Sequence, residues 1–171
     1  MQNHFDLFHL PARFEMDGAA LDKAYHEVQS QVHPDKFAHA GDAEKRVAMQ
    51  WATRANEAYR TLKSPLKRAR YMCELHGIDL QTETNTAMAP GFLMQQMEWR
   101  EELDDVKHSR DSSALDGLDA ALRSALKAQI ASIANLLDKD DYAAAATQVR
   151  QLMFLEKFAE EIGDAFALLE Q

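Results

Sequence analysis

Three groups of side chains in this 171-residue chain are of types and spacings that could do chemistry or recognise another molecule. The first is His33-Pro34-Asp35, continued by Lys36-Phe37 and, two residues on, His39. Proline fixes its own backbone and restricts the residue before it, so an imidazole and a carboxylate are presented on a stiffened turn. A charged acceptor held there suits an arginine of a partner protein, because little ordering entropy remains to be lost. His33, Asp35 and His39 could alternatively ligate a metal and support hydrolysis, although their loop spacing is loose and no further ligand is evident. The second group is Cys73 and His76, three residues apart. Cys73 is the only cysteine, which excludes an internal disulfide and a cysteine-rich zinc site. It reads as a small buried side chain rather than a nucleophile. The third is the cluster Leu93, Met94 and Met97 with Glu98, Glu101 and Asp105, a deformable apolar surface with an acidic border. There is no Ser/His/Asp arrangement, no glycine-rich phosphate loop and no carboxylate pair in a site, so neither an enzyme nor a resident metal or cofactor is expected.

The elements that must position these groups read as helices throughout, an all-α chain. No stretch alternates apolar and polar residues between turn signals. Phe5–Leu10 is a short apolar turn closed by Pro11. Asp17 can cap a helix whose stripe is Leu21, Tyr25, Val28 and Val32, ended by Pro34. On it, Lys23, His26, Ser30 and His33 point away from the stripe. Asp42 can cap a second helix with the stripe Val47, Trp51, Ala55, Ala58 and Leu62. Ser64-Pro65 then opens a third, closed by Gly77. The two longer stripes can pack as a hairpin with the tripeptide at its tip. A basic cluster, Lys63, Lys67, Arg68 and Arg70, reads either as a docking surface or as solvated helix. Ile78–Ala89 lacks periodicity and reads as a linker. Beyond it, helices over 90–110, 113–138 and 141–170 with short breaks predict an antiparallel three-helix bundle.

Charge divides along the same line. Net charge is −9, a poor match for nucleic acid or an anionic membrane. Residues 1–76 hold 11 Lys and Arg against 10 Asp and Glu, whereas 77–171 hold 8 against 18. Two units with different partners are therefore expected: 1–76, a linker over 77–89, and 90–171. No secretory leader or membrane span is evident, which points to a cytoplasmic protein, expected to be a monomer.

The helix opening at Pro90 has two apolar faces. Stepping about 100° per residue gathers Phe92, Trp99, Leu103 and Val106 on one side and Leu93, Met94 and Met97 about 160° away. A bundle buries one face; the other either packs elsewhere on the protein or binds a partner. On the last helix, Val149, Leu152, Leu155, Ala159, Ile162, Phe166 and Leu169 form the core stripe. Phe154 lies about 110° off it, where it could complete the patch.

Taken with their context, these motifs resemble a known family. His33-Pro34-Asp35 between two helices, with a short helix before and a basic one after, is similar to a J domain. The segments Phe5-Asp6-Leu7-Phe8-His9-Leu10-Pro11, Phe92 to Asp105 and Leu152-Met153-Phe154-Leu155 resemble the HscB family, the J-proteins of bacterial iron–sulfur cluster assembly. The resemblance spans the whole chain. It implies an L-shaped, all-α protein with an N-terminal J domain and a C-terminal three-helix bundle. It further implies that His33, Pro34 and Asp35 activate the ATPase of a dedicated 70-kDa heat-shock-class chaperone (HscA type). Lys23, His26 and Lys36 would assist docking, and the few cations on that helix favour a dedicated partner over a general one. Leu93, Met94, Met97, Glu98, Glu101, Asp105 and Phe154 are the implied binding residues for the cluster scaffold protein (IscU type). Asp105 stands where the family often has Glu and so reaches less far.

Overall fold

The computed structural model describes residues 2–80 and 88–171. These form seven α-helices and one 3₁₀ turn, with no strand among the described residues. The chain divides into two compact units, Met1–Met72 and Cys73–Gln171.

The first unit contains α1 (His4–Leu7), α2 (Gly18–Val32), the 3₁₀ turn (Pro34–Phe37), α3 (Asp42–Lys63) and most of α4 (Pro65–Leu75). Asn3 caps α1, its side chain accepting from the Asp6 N–H at 2.8 Å while the Asp6 carboxylate accepts from the Asn3 N–H. Asp17 caps α2 as expected, accepting from the Ala19 N–H. Gly41, rather than Asp42, occupies the cap of α3, and Asp42 falls in its first turn, where a carboxylate still complements the helix dipole. Helices α2 and α3 form the expected hairpin. Tyr25 stacks on Tyr59 at 4.1 Å, and its hydroxyl donates to Asn56. The Asp22 carboxylate accepts from the Tyr59 hydroxyl at 2.7 Å and the Lys63 ammonium at 3.0 Å. These two hydrogen bonds, the tyrosine's first, hold the carboxyl below its ordinary range.

The stripe read for α3 is half right. Ala55, Ala58 and Leu62 are buried, but at its start Ala48 faces the core, leaving Val47 and Trp51 exposed. Small residues there let the helix pair tighten where it meets the turn. The basic cluster on α3 and α4 is also dispersed. Lys63 is paired with Asp22, and the Arg68 guanidinium turns inward over the Phe14 ring at 4.6 Å, donating to the Leu62 carbonyl.

The second unit holds α5 (Pro90–Ser109), α6 (Ser112–Asp138) and α7 (Tyr142–Leu169). Asp111 and Asp141 cap α6 and α7, and short turns force α6 antiparallel to its neighbours. Gln129 on α6 bonds Gln148 and Gln151 on α7 across the pair. The core gathers Trp99, Leu103 and Val106 with Leu115, Leu118 and Leu122 from α6 and Leu155, Phe158, Ile162 and Ala165 from α7. Phe158 lies outside the stripe read from sequence yet is fully buried, because α5 covers that side of α7.

The division between the units lies inside α4, four residues before the expected boundary at 76. Buried Cys73 directs its thiol at the Tyr142 carbonyl, and His76 stacks on the Tyr142 ring at 3.7 Å. Leu80, read as linker, is buried as well. The rest of the expected linker, 81–87, lies outside the described residues.

Candidate functional site

Two surfaces carry the candidate residues, one on each unit. In the first, His33 ends α2 with extended backbone, φ −62° and ψ 139°, the conformation that a following proline imposes. Pro34 opens the 3₁₀ turn, where its missing N–H costs nothing. The Asp35 N–H donates to His33 Nδ1 at 3.2 Å. With Nδ1 accepting, the tautomer that fits this contact carries its proton on Nε2. The Asp35 carboxylate lies 3.5 Å from Nδ1 and is 93% exposed, leaving its oxygens available to a cation from outside. Lys23, His26 and Lys36 are exposed too. Among the described residues no three His, Cys, Asp or Glu side chains converge as a metal site, and His39 is not brought into one with His33 and Asp35.

A feature the sequence reading missed adjoins this tripeptide. Val32, Pro34, Phe37, Ala48, Met49 and Ala52 line a predominantly apolar groove of about 400 Å³. Val47, Met49 and Trp51 are exposed on the same stretch of α3. The signal was present in Ala48, Ala52 and Ala55, whose spacing offers an alternative core line of small residues.

The second surface is on α5 and α7. Phe92 packs against the bundle core and Trp99, Leu103 and Val106 are within it. Leu93 is 46% exposed, Met94 62% and Met97 65%, so among the described residues the second apolar face is left largely open. Glu98, Glu101 and Asp105 are exposed around it. Phe154 is 47% exposed, and neighbouring Met153, not foreseen, is also partly open.

The helix register shows that these residues form one patch. Trp99 stacks on Phe158 at 5.8 Å, Arg100 pairs with Glu161 at 2.9 Å, and Arg110 donates to the Leu168 and Leu169 carbonyls. Helices α5 and α7 therefore run parallel at an offset of about sixty residues. Phe154 precedes Phe158 by about one turn, on the side of α7 that carries α5. It is thus level with Met94 and Met97, and Leu93 and Met97 flank the α7 side of α5. The result is a contiguous apolar surface of one leucine, methionines and a phenylalanine with acids along one edge, suited to a partner that is apolar at its centre and basic at its rim.

The chain as a whole is matched by known proteins. Residues 88–163 match a family model described as the HSCB C-terminal oligomerisation domain. A co-chaperone protein HscB homolog of Burkholderia multivorans is 60% identical over 168 residues, covering 98% of this chain and 96% of that protein. The homolog of Burkholderia vietnamiensis is 59% identical over the same shares. Among solved structures, chaperone HscB from Vibrio cholerae superposes with a TM-score of 0.87 at 38% identity, covering 98% of this chain and 99% of that one. Human co-chaperone protein HscB does so with a TM-score of 0.89 at 27% identity, covering 95% and 81%. With its tripeptide turn, its helical bundle and relatives of this identity along nearly its whole length, the chain belongs to the HscB family of co-chaperones.

Proposed function

We propose that this co-chaperone is an adaptor. Its first unit stimulates ATP hydrolysis by a dedicated HscA-type chaperone through His33, Pro34 and Asp35, with Lys23, His26 and Lys36 aiding docking. Its second unit holds an IscU-type iron–sulfur scaffold protein on Leu93, Met94, Met97 and Phe154, with Glu98, Glu101 and Asp105 as a charged rim. The ATP chemistry belongs to the chaperone, so the adaptor needs no catalytic group, metal or cofactor of its own. It works as a cytoplasmic monomer; among the described residues no helix is long and apolar enough to cross a membrane.

The observation that carries this reading is the pairing, on one chain, of an exposed Asp35 on a stiff turn with an exposed apolar patch on α5 and α7. The deciding experiment is the chaperone's ATPase rate with this protein, with the scaffold, and with both. Synergy is expected with both. His33→Gln should abolish stimulation while changing stability by less than about 0.5 kcal/mol, as for most exposed positions. Stimulation at the wild-type level by that variant would overturn the assignment. The description of the matching model as an oligomerisation domain raises a second occupant for the patch, another copy of this chain. Sedimentation separates the two, since self-association blocked by truncating Leu93, Met94 and Met97 to alanine would favour the copy over the scaffold.

A further inference from the structure

Beneath the patch lies a polar group that the described residues leave without a partner. Gln96 is only 7% exposed, and both its amide nitrogen and its amide oxygen are buried with no hydrogen-bond partner among the described residues. The other buried glutamine, Gln151, has its oxygen engaged by Gln129 at 3.2 Å, so the bundle does satisfy an interior amide elsewhere. On α5, Gln96 falls about 60° from Leu93 and about 100° from Met97, turned toward α7. In the parallel register of the two helices it is level with the turn between Phe154 and Phe158. By that register fully buried Phe158 falls on its core side, and Phe154 and Leu93, each about half exposed, fall on its solvent side. A burial without hydrogen bonds destabilises the free protein, and such groups in native structures call for an explanation.

We propose that Gln96 is a specificity residue of this patch, its amide pairing with a main-chain peptide group of the bound scaffold. The inference rests on the patch being the scaffold site. A primary amide offers one donor face and one acceptor face, the complement of a peptide N–H and C=O, and brings no charge into an apolar interface. The partner displaces the half-exposed Phe154 and Leu93 side chains outward, replaces their cover, and completes the hydrogen bonds that the free protein lacks. A protein with the right apolar shape but no free peptide group at that point leaves the amide unsatisfied and binds less well, which is how a deformable methionine surface acquires selectivity.

The test uses the full chain carrying Gln96→Met, a near-isosteric apolar change, with Gln96→Leu as a second variant, and purified scaffold protein as the titrant. The melting temperature of the free protein should rise by about 2 °C or more, since a buried unpaired amide is removed. Scaffold affinity should fall about five- to tenfold, the loss of roughly one hydrogen-bonded contact. In ¹⁵N-labelled wild type, the Gln96 side-chain amide resonances should move on scaffold addition. Scaffold affinity within twofold of wild type, or unmoved amide resonances, would overturn the proposal, as would a lowered melting temperature, which would mean that the amide is satisfied internally. If the wild-type protein itself does not bind the scaffold, the reading of the patch fails, a result distinct from wild-type binding that ignores Gln96.

Discussion

Truncating Leu93, Met94 and Met97 together to alanine separates binding from folding. Fully burying a leucine or methionine is worth roughly 2 kcal/mol. These three side chains are 46%, 62% and 65% exposed, and those are the fractions a partner can still cover. The upper limit of their joint contribution to binding is therefore about 3.5 kcal/mol. Ordering the methionines removes part of it, so the expected loss is about 1.5–3 kcal/mol, roughly ten- to 150-fold in Kd. Much of the area already shielded is covered by the helix's own backbone, which alanine retains along with better helix propensity. Stability should fall by less than about 1 kcal/mol, a shift of roughly 2–4 °C in a protein of this size. Phe158→Ala is the contrasting control. That ring is fully buried against Trp99, and its removal should cost about 3–5 kcal/mol of stability. A thermal melt beside a scaffold titration for each variant decides the matter. A triple variant that melts as low as Phe158→Ala, or that binds within threefold of wild type, refutes the two-faced reading of α5.

Two further outcomes are expected. His4 stacks on Tyr71 at 4.3 Å, and burial, the largest influence, holds its imidazole below the usual value. The unfolded chain takes up the proton more readily, so this contribution is present above pH of about 6.5 and is lost as pH falls below it. His4→Phe, which keeps a stacked ring, should flatten the decline in melting temperature between pH 7 and 5; an unchanged slope would remove His4 as its source. Burial pushes the Cys73 thiol up to about 11, so iodoacetamide at pH 8 should leave the native protein unmodified and label it promptly once denatured. Native labelling at the rate of a free thiol would contradict its burial.

Helix order, the tripeptide turn and the open face of α5 were legible in the sequence because each depends on local signals: Asp17 before an apolar stripe, a proline after His33, and two apolar arcs on one helix. What was not legible depended on where a second helix lies. Val47 and Trp51 fit a stripe as well as Ala48 does, and only the close approach of α2 to α3 selects the smaller residue. Phe158 is core because α5 covers that flank of α7, which no periodicity in α7 reveals. Arg68 belongs to a basic run by spacing, yet Phe14, more than fifty residues earlier, draws it inward. Cys73 and His76 continue the first unit's last helix in sequence but meet Tyr142, nearly seventy residues later. Gln96 looked like an ordinary polar spacer between two faces, and its burial follows from the same seam that hides Phe158.

The parallel pairing of α5 with α7 has a consequence for the chain as it is made. Trp99 stacks on a ring that is synthesised about sixty residues later. At roughly 5–20 residues per second, the Trp99 side of α5 is made, and emerges, about 3–12 seconds ahead of that ring. In that interval both of its apolar faces are without their final cover, and α6 alone shields only part of the inner one. The second unit closes when its last helix arrives, so a nascent or prematurely ended chain lacking α7 presents a helix that is sticky on both sides. A protein devoted to handling others is itself, for those seconds, in the condition of a client.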